Sequence, residues 1–185
     1  MRSLALLPLL WCVAGVAQAS SPAADADVAA VVKSLGMGSL GATMADLVID
    51  NTPALKALPD SDQACAQAPV RDLLDAQFRH SIIQGLGSDG DAVIAEWSRF
   101  LATTAGKALS STFANSTPDN TEAKAGAGLG ATDRAQLAAF MASPAYRRMV
   151  ASFESEPAIP EDLDAQLAKP LQDQCRIALK PEEIS

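Results

Sequence analysis

The chain has 185 residues, 49% hydrophobic and 19% charged, with 22 acidic side chains against 14 basic and a formal net charge of −8. The acidic balance argues against nucleic acid and anionic lipid surfaces as main partners, since both demand a basic face; it suits plain solubility, or steering toward a basic protein partner. One histidine leaves a zinc site short of ligands, and 37 alanines with 4% aromatics favour helices over sheet.

The first nineteen residues read as a cleaved export signal. Arg2 precedes an apolar run from Leu4 to Val16, and Ala17-Gln18-Ala19 supplies the small-x-small cleavage pattern. The run covers 13 residues, short of what a ~30 Å hydrocarbon core requires of a helix. Trp11 stands before Cys12, where a lipoprotein signal carries a small residue. The expected mature chain is exported, carries no membrane insertion and forms a single domain over 20–185, long enough for one hydrophobic core.

Within that domain the periodicity predicts helices. Asp25 and Asp27 open an apolar run to Leu35 that Gly36 closes, which suits the helix dipole and a C-terminal cap. Leu40, Met44, Leu47 and Val48 recur at i, i+4, i+7 and i+8 and read as the apolar stripe of a second helix. Thr52 and Pro53 are placed as N-cap and first residue of the next. "PDSDQACAQAP" reads as a loop holding Cys65. From about Pro69 a helix carries Val70, Leu73, Leu74, Phe78 and Ile82 on one side and Arg71, Asp72, Asp75 and Arg79 on the wet side, until "GLGSDGD" breaks it.

The longest helix is expected from Asp91 to Phe113, with Val93, Ile94, Trp97, Phe100, Leu101 and Leu109 at helical spacing. Residues 114–131 are a flexible linker by composition. A helix from Asp133, capped by Thr132, is kinked or restarted at Pro144. The last runs from Glu161 to about Leu179, with Leu163, Leu167, Leu171, Cys175 and Leu179 at i+4. The sum is an all-α, single-domain bundle of about six or seven helices without internal repeat.

Signal cleavage removes Cys12 and leaves Cys65 and Cys175. Two cysteines in an exported chain are most simply one disulfide, and Cys175 lies on an apolar stripe with one available partner. A catalytic thiol would need a nearby base, and the one histidine, His80, sits beside Arg79 as a surface or capping residue. "SDGD" (Ser88 to Asp91) lacks the terminal glutamate of a calcium loop and reads as a turn whose aspartate caps the next helix. "GAGLG" (Gly126 to Gly130) follows no strand and reads as a hinge. The serine-nucleophile motifs are absent. Asn115-Ser116-Thr117 matches a glycosylation pattern that matters only on a eukaryotic secretory route. No cofactor, metal or catalytic residue is expected.

"LAAFMASPAYRRM", Leu137 to Met149, resembles the F-Y-x-S-P-x-G-x-K segment of a family of bacterial periplasmic helical proteins of unknown function, with Met141 in place of the tyrosine and Tyr146 in place of the glycine. "VVKSLGMGSLGATMADLV" is loosely similar to that family's first helices. The resemblance implies a bacterial, periplasmic, all-helical domain and brings no activity with it.

These readings converge on a non-enzymatic periplasmic binding protein, of the kind that inhibits or confers immunity to a toxin or lytic enzyme by protein–protein contact. The alternatives are an enzyme with an unrecognised carboxylate site and a carrier of an apolar ligand between helices. The expected partner contact is the acidic turn of Glu154, Glu156, Glu161, Asp162 and Asp164, stiffened by Pro157 and Pro160. Carboxylates at a helix N-terminus account for part of that cluster without any partner.

Overall fold

The computed structural model describes residues 20–113, 121–154 and 163–184. The expected export signal, the stretches 114–120 (with Asn115 to Thr117) and 155–162, and Ser185 lie outside the described residues. Every regular element among the described residues is helical. In chain order these are α1 (Asp25–Ser34), α2 (Leu40–Asn51), α3 (Pro53–Lys56), α4 (Asp60–Leu86), α5 (Gly90–Leu101), α6 (Thr104–Phe113), α7 (Thr121–Gly126), α8 (Ala131–Met141), α9 (Pro144–Glu154), α10 (Leu163–Pro170) and α11 (Pro181–Ile184). The expected stop after Leu35 is there: Gly36 takes φ 77°, a conformation only glycine adopts without cost.

The stretch read as a loop around Cys65 is instead the first third of α4, which runs for 27 residues. Asp60 and Asp62 in its first turn favour the positive end of the helix dipole, and Ala64, Ala66 and Ala68 are strong helix formers. Pro69 sits inside the helix. It forfeits one N–H bond, to the Cys65 carbonyl, and does not end the helix. The segment expected as the longest helix is two, α5 and α6, broken at Ala102 and Thr103. Part of the expected linker is α7, and its Ala125 is buried in the core. The α8 helix begins at Ala131 behind Gly130, so Thr132 is not its cap.

Two hydrophobic clusters, not one core, line α4. The larger joins α1, α5, α6, α7, α8 and α9 to the C-terminal half of α4 through Ile82 and Leu86. The smaller joins α2, α3, α10 and the C-terminal segment to its N-terminal half through Ala66 and Val70. Between them the helix turns polar. Gln77 donates to Gln166 of α10 at 3.0 Å, and Asp75 lies against Gly41 of α2.

The larger lobe contains a repeat that the sequence reading missed. Residues 97–113 and 137–153 align without a gap, matching Phe100 with Phe140, Ala102 with Ala142, Ala105 with Ala145 and Phe113 with Phe153. Each copy is two helices around a two-residue break, and the bonds at the break correspond. Thr103 N–H donates to the Phe100 carbonyl, as Ser143 N–H does to Phe140, both at 2.9 Å. The Thr103 hydroxyl accepts from Gly106 N–H at 3.0 Å, and the Ser143 hydroxyl accepts from Tyr146 N–H at 3.2 Å. These are the side-chain caps that let a second helix start at once. The copies pack reciprocally, α5 on α9 and α6 on α8, with the Phe100 and Phe140 rings stacked 3.7 Å apart. Trp97, fully buried, donates its indole N–H to the Ala145 carbonyl at 3.1 Å.

The last long helix stops earlier than its i+4 leucines suggest. Pro170 has no N–H for the preceding turn, and the next turn, Leu171–Cys175, widens to π-helical geometry. Arg176 then adopts φ 60°. Its N–H and that of Ile177 bond the carbonyls of Gln172 and Leu171, which closes the helix end. The disulfide joins Cys65 to Cys175, with Cα atoms 5.8 Å apart. It staples this turn to α4, not to a loop.

Candidate partner-binding face

The α2 helix has two apolar faces, and the one turned inward is not the one its large side chains mark. Gly41, Ala45 and Ile49 are buried against the rest of the fold. Leu40, Met44 and Leu47 point outward and are 39%, 41% and 51% exposed, the large hydrophobic side chains most open to water among the described residues. The sequence reading placed these three on the same stripe as Val48, which is half-buried. Small residues won the inner face because they let the α2 backbone approach α4. A Cβ on Gly41 would stand 2.1 Å from Asp75 Oδ1. The signal was present as glycine, alanine and isoleucine at i, i+4 and i+8, one position out of phase with the leucines.

Carboxylates border this face. At 100° per residue, Asp50 and Asp46 lie about 60° and 100° round α2 from Leu47. Asp46 also accepts from Gln67 of α4 at 3.0 Å. On the other shoulder, Asp75 covers Gly41, about 60° beyond Met44. Just before Leu40, Met37 and Gly38 join Val32, Lys33, Asp75, Phe78 and Arg79 around an open cleft of about 330 Å³. Its charges are mixed: Arg79 donates to Asp25 at 2.8 Å, and Lys33 faces the same opening as Asp75.

The "SDGD" turn holds the larger lobe's end together: Asp89 sits at the N-cap position of α5 without a side-chain bond to it, and Asp91 in the first turn accepts from Ala92 N–H at 2.6 Å. Asp89 receives two bonds from Arg148 of α9, one of them 2.7 Å, and the same guanidinium donates to the Leu86 carbonyl at the end of α4. Those bonds hold the Asp89 carboxyl below its ordinary pKa and raise that of Arg148. Asp91 accepts from the Ser21 hydroxyl at 2.8 Å, which lowers its pKa as well, and its backbone N–H bonds the Ser21 carbonyl. The N-terminal strand of chain is thereby tied to α5.

Cys65 and Cys175 are brought together as the disulfide. Glu156, Glu161 and Asp162 lie outside the described residues. Glu154 ends α9 and Asp164 is in the first turn of α10, with their side chains likewise outside the described residues. His80 is exposed and shares a 2.8 Å hydrogen bond with Gln84. Among the described residues no three His, Cys, Asp or Glu side chains are grouped to hold a metal ion, and no helix is long and apolar enough to cross a membrane. Compared with known proteins, the chain matches no family model, no curated protein and no solved structure.

Proposed function

We propose that this chain is an exported, periplasmic, non-enzymatic binding protein that acts by protein–protein contact, in the manner of an inhibitor or immunity protein. The observation that carries the reading is the α2 face, where three large apolar side chains stand in water on a helix that buries Gly41, Ala45 and Ile49 instead. Single exposed leucines are ordinary on protein surfaces, whereas a contiguous stripe marks an interaction site. The export signal read at residues 1–19 and the similarity of Leu137 to Met149 to a periplasmic helical family support the compartment. The net charge of −8 suits a basic partner.

The test is capture from a periplasmic extract with the tagged mature chain, run beside a Met44→Asp, Leu47→Asp variant. A protein retained by the first and absent from the second supports the reading. A set of bound proteins identical for both sinks it.

A further inference from the structure

We infer that the α2 face receives a cationic amphipathic helix of the partner. The inference rests on the protein-binding reading above and adds the chemistry of what binds. Leu40, Met44 and Leu47 recur at i, i+4 and i+7, so they form a straight ridge along one side of α2. A ridge of that spacing packs into the groove of another helix, whose own apolar side chains recur at three and four.

One shoulder chooses the charge of that helix. Asp46 and Asp50 stand on one side of the ridge, and Asp50 has no ion-pair partner among the described residues, whereas on the other side Asp75 shares its opening with Lys33 and Arg79. Lysine or arginine side chains beside the partner's apolar stripe would therefore meet carboxylates along the Asp46 and Asp50 edge. A second copy of this chain fits poorly. Its α2 carries no lysine or arginine that could meet the carboxylates of its twin. A lipid surface fits poorly for the same reason, since carboxylates flank the three apolar residues where surface-binding helices carry lysine or arginine.

The experiment uses the full mature chain and two labelled synthetic helical peptides. Both carry leucine at i, i+3 and i+7; one has lysine on the shoulders and the other glutamate. Fluorescence anisotropy near 0.1 M salt should show the lysine peptide binding at least about tenfold more tightly than the glutamate peptide. Met44→Asp with Leu47→Asp should abolish binding. Asp46→Lys with Asp50→Lys should reverse the charge preference, while the same charge change at Asp27 of α1 and Glu96 of α5 should leave it intact. The inference fails if the two peptides bind alike, if the α2 variants bind as the unmodified chain does, or if the chain dimerises through α2 or binds neutral phosphatidylcholine vesicles instead. A partner captured from extract through Met44 and Leu47 but indifferent to charge reversal at Asp46 and Asp50 overturns this inference alone and leaves the protein-binding reading standing.

Discussion

Gly41 and Asp75 occupy space that a single methyl group would fill: a Cβ on Gly41 would lie 2.1 Å from Oδ1 and 2.5 Å from Cγ of Asp75. This contact sets how closely α2 rides on α4, and with it which side of α2 faces water. Gly41→Ala should destabilise the fold by about 1–2 kcal/mol, because the carboxylate must swing aside. Since the obstacle is the end of a side chain, Asp75→Ala should restore most of the loss. A double-mutant cycle by urea denaturation checks this, with strongly non-additive changes expected.

Gly106 offers a harsher version of the same constraint. A Cβ there would stand 2.0 Å from the Phe100 carbonyl oxygen and 2.6 Å from the Leu101 Cα. Backbone cannot rotate away, so Gly106→Ala should cost about 3 kcal/mol, at the top of the overpacking range, and no single side-chain deletion should rescue it. The corresponding residue of the second copy is Tyr146, half-buried and stacked on Trp97 at 5.7 Å. The two breaks therefore differ in how tightly they fold back. Urea melts of Gly106→Ala and Gly41→Ala, compared directly, should rank the first as the more damaging.

The disulfide spans a sequence separation of 110 and belongs wholly to the smaller lobe. Cys175→Ser should lower stability by up to about 4–5 kcal/mol if chain entropy dominates. The loss should be uneven. Hydrogen exchange of the variant should rise in α10, α11 and α2 before it rises in α5, α8 or α9, whose cluster does not include the cysteines. Uniform acceleration through both lobes would contradict the division of the core.

Acid should weaken the end of the larger lobe. The folded-state pKa values of Asp89 and Asp91 are both lowered, by Arg148 and by the Ser21 hydroxyl respectively. Between the folded and unfolded values the unfolded chain binds more protons, so stability falls as pH falls. The loss begins near the ordinary aspartate value of about 4 and is complete below the folded values. Thermal melts at pH 6 and pH 3 should show a smaller drop for Asp89→Asn with Arg148→Met than for the unmodified chain. An equal drop would mean that the pair contributes nothing to the acid response.

The sequence carried the helical class, the disulfide and the restart at Pro144 because each has a local or compositional cause: alanine content, two cysteines beyond the expected export signal, a missing N–H. It did not carry the length of α4, since Pro69 is an ordinary breaker that this helix absorbs. It misled on α2, where a hydrophobic ridge and a small-residue face run side by side and only packing against Asp75 decides which is buried. The repeat was legible in principle as Phe-x-Ala-(Thr/Ser)-x-Ala, at Phe100 to Ala105 and Phe140 to Ala145, a constant offset of 40 residues. It is short and has no glycine or tryptophan repeated, so it stands out only once both copies show the same break.

The most direct test is Leu47→Asp, at the most exposed large hydrophobic position among the described residues. A side chain that open to water adds little to folding, so the variant should unfold within about 0.5 kcal/mol of the unmodified chain. It should at the same time lose the partner, or the lysine-shouldered peptide, that the unmodified chain binds. A variant that unfolds far more readily would show that the stripe serves the fold, and one that folds and binds unchanged would place the contact elsewhere.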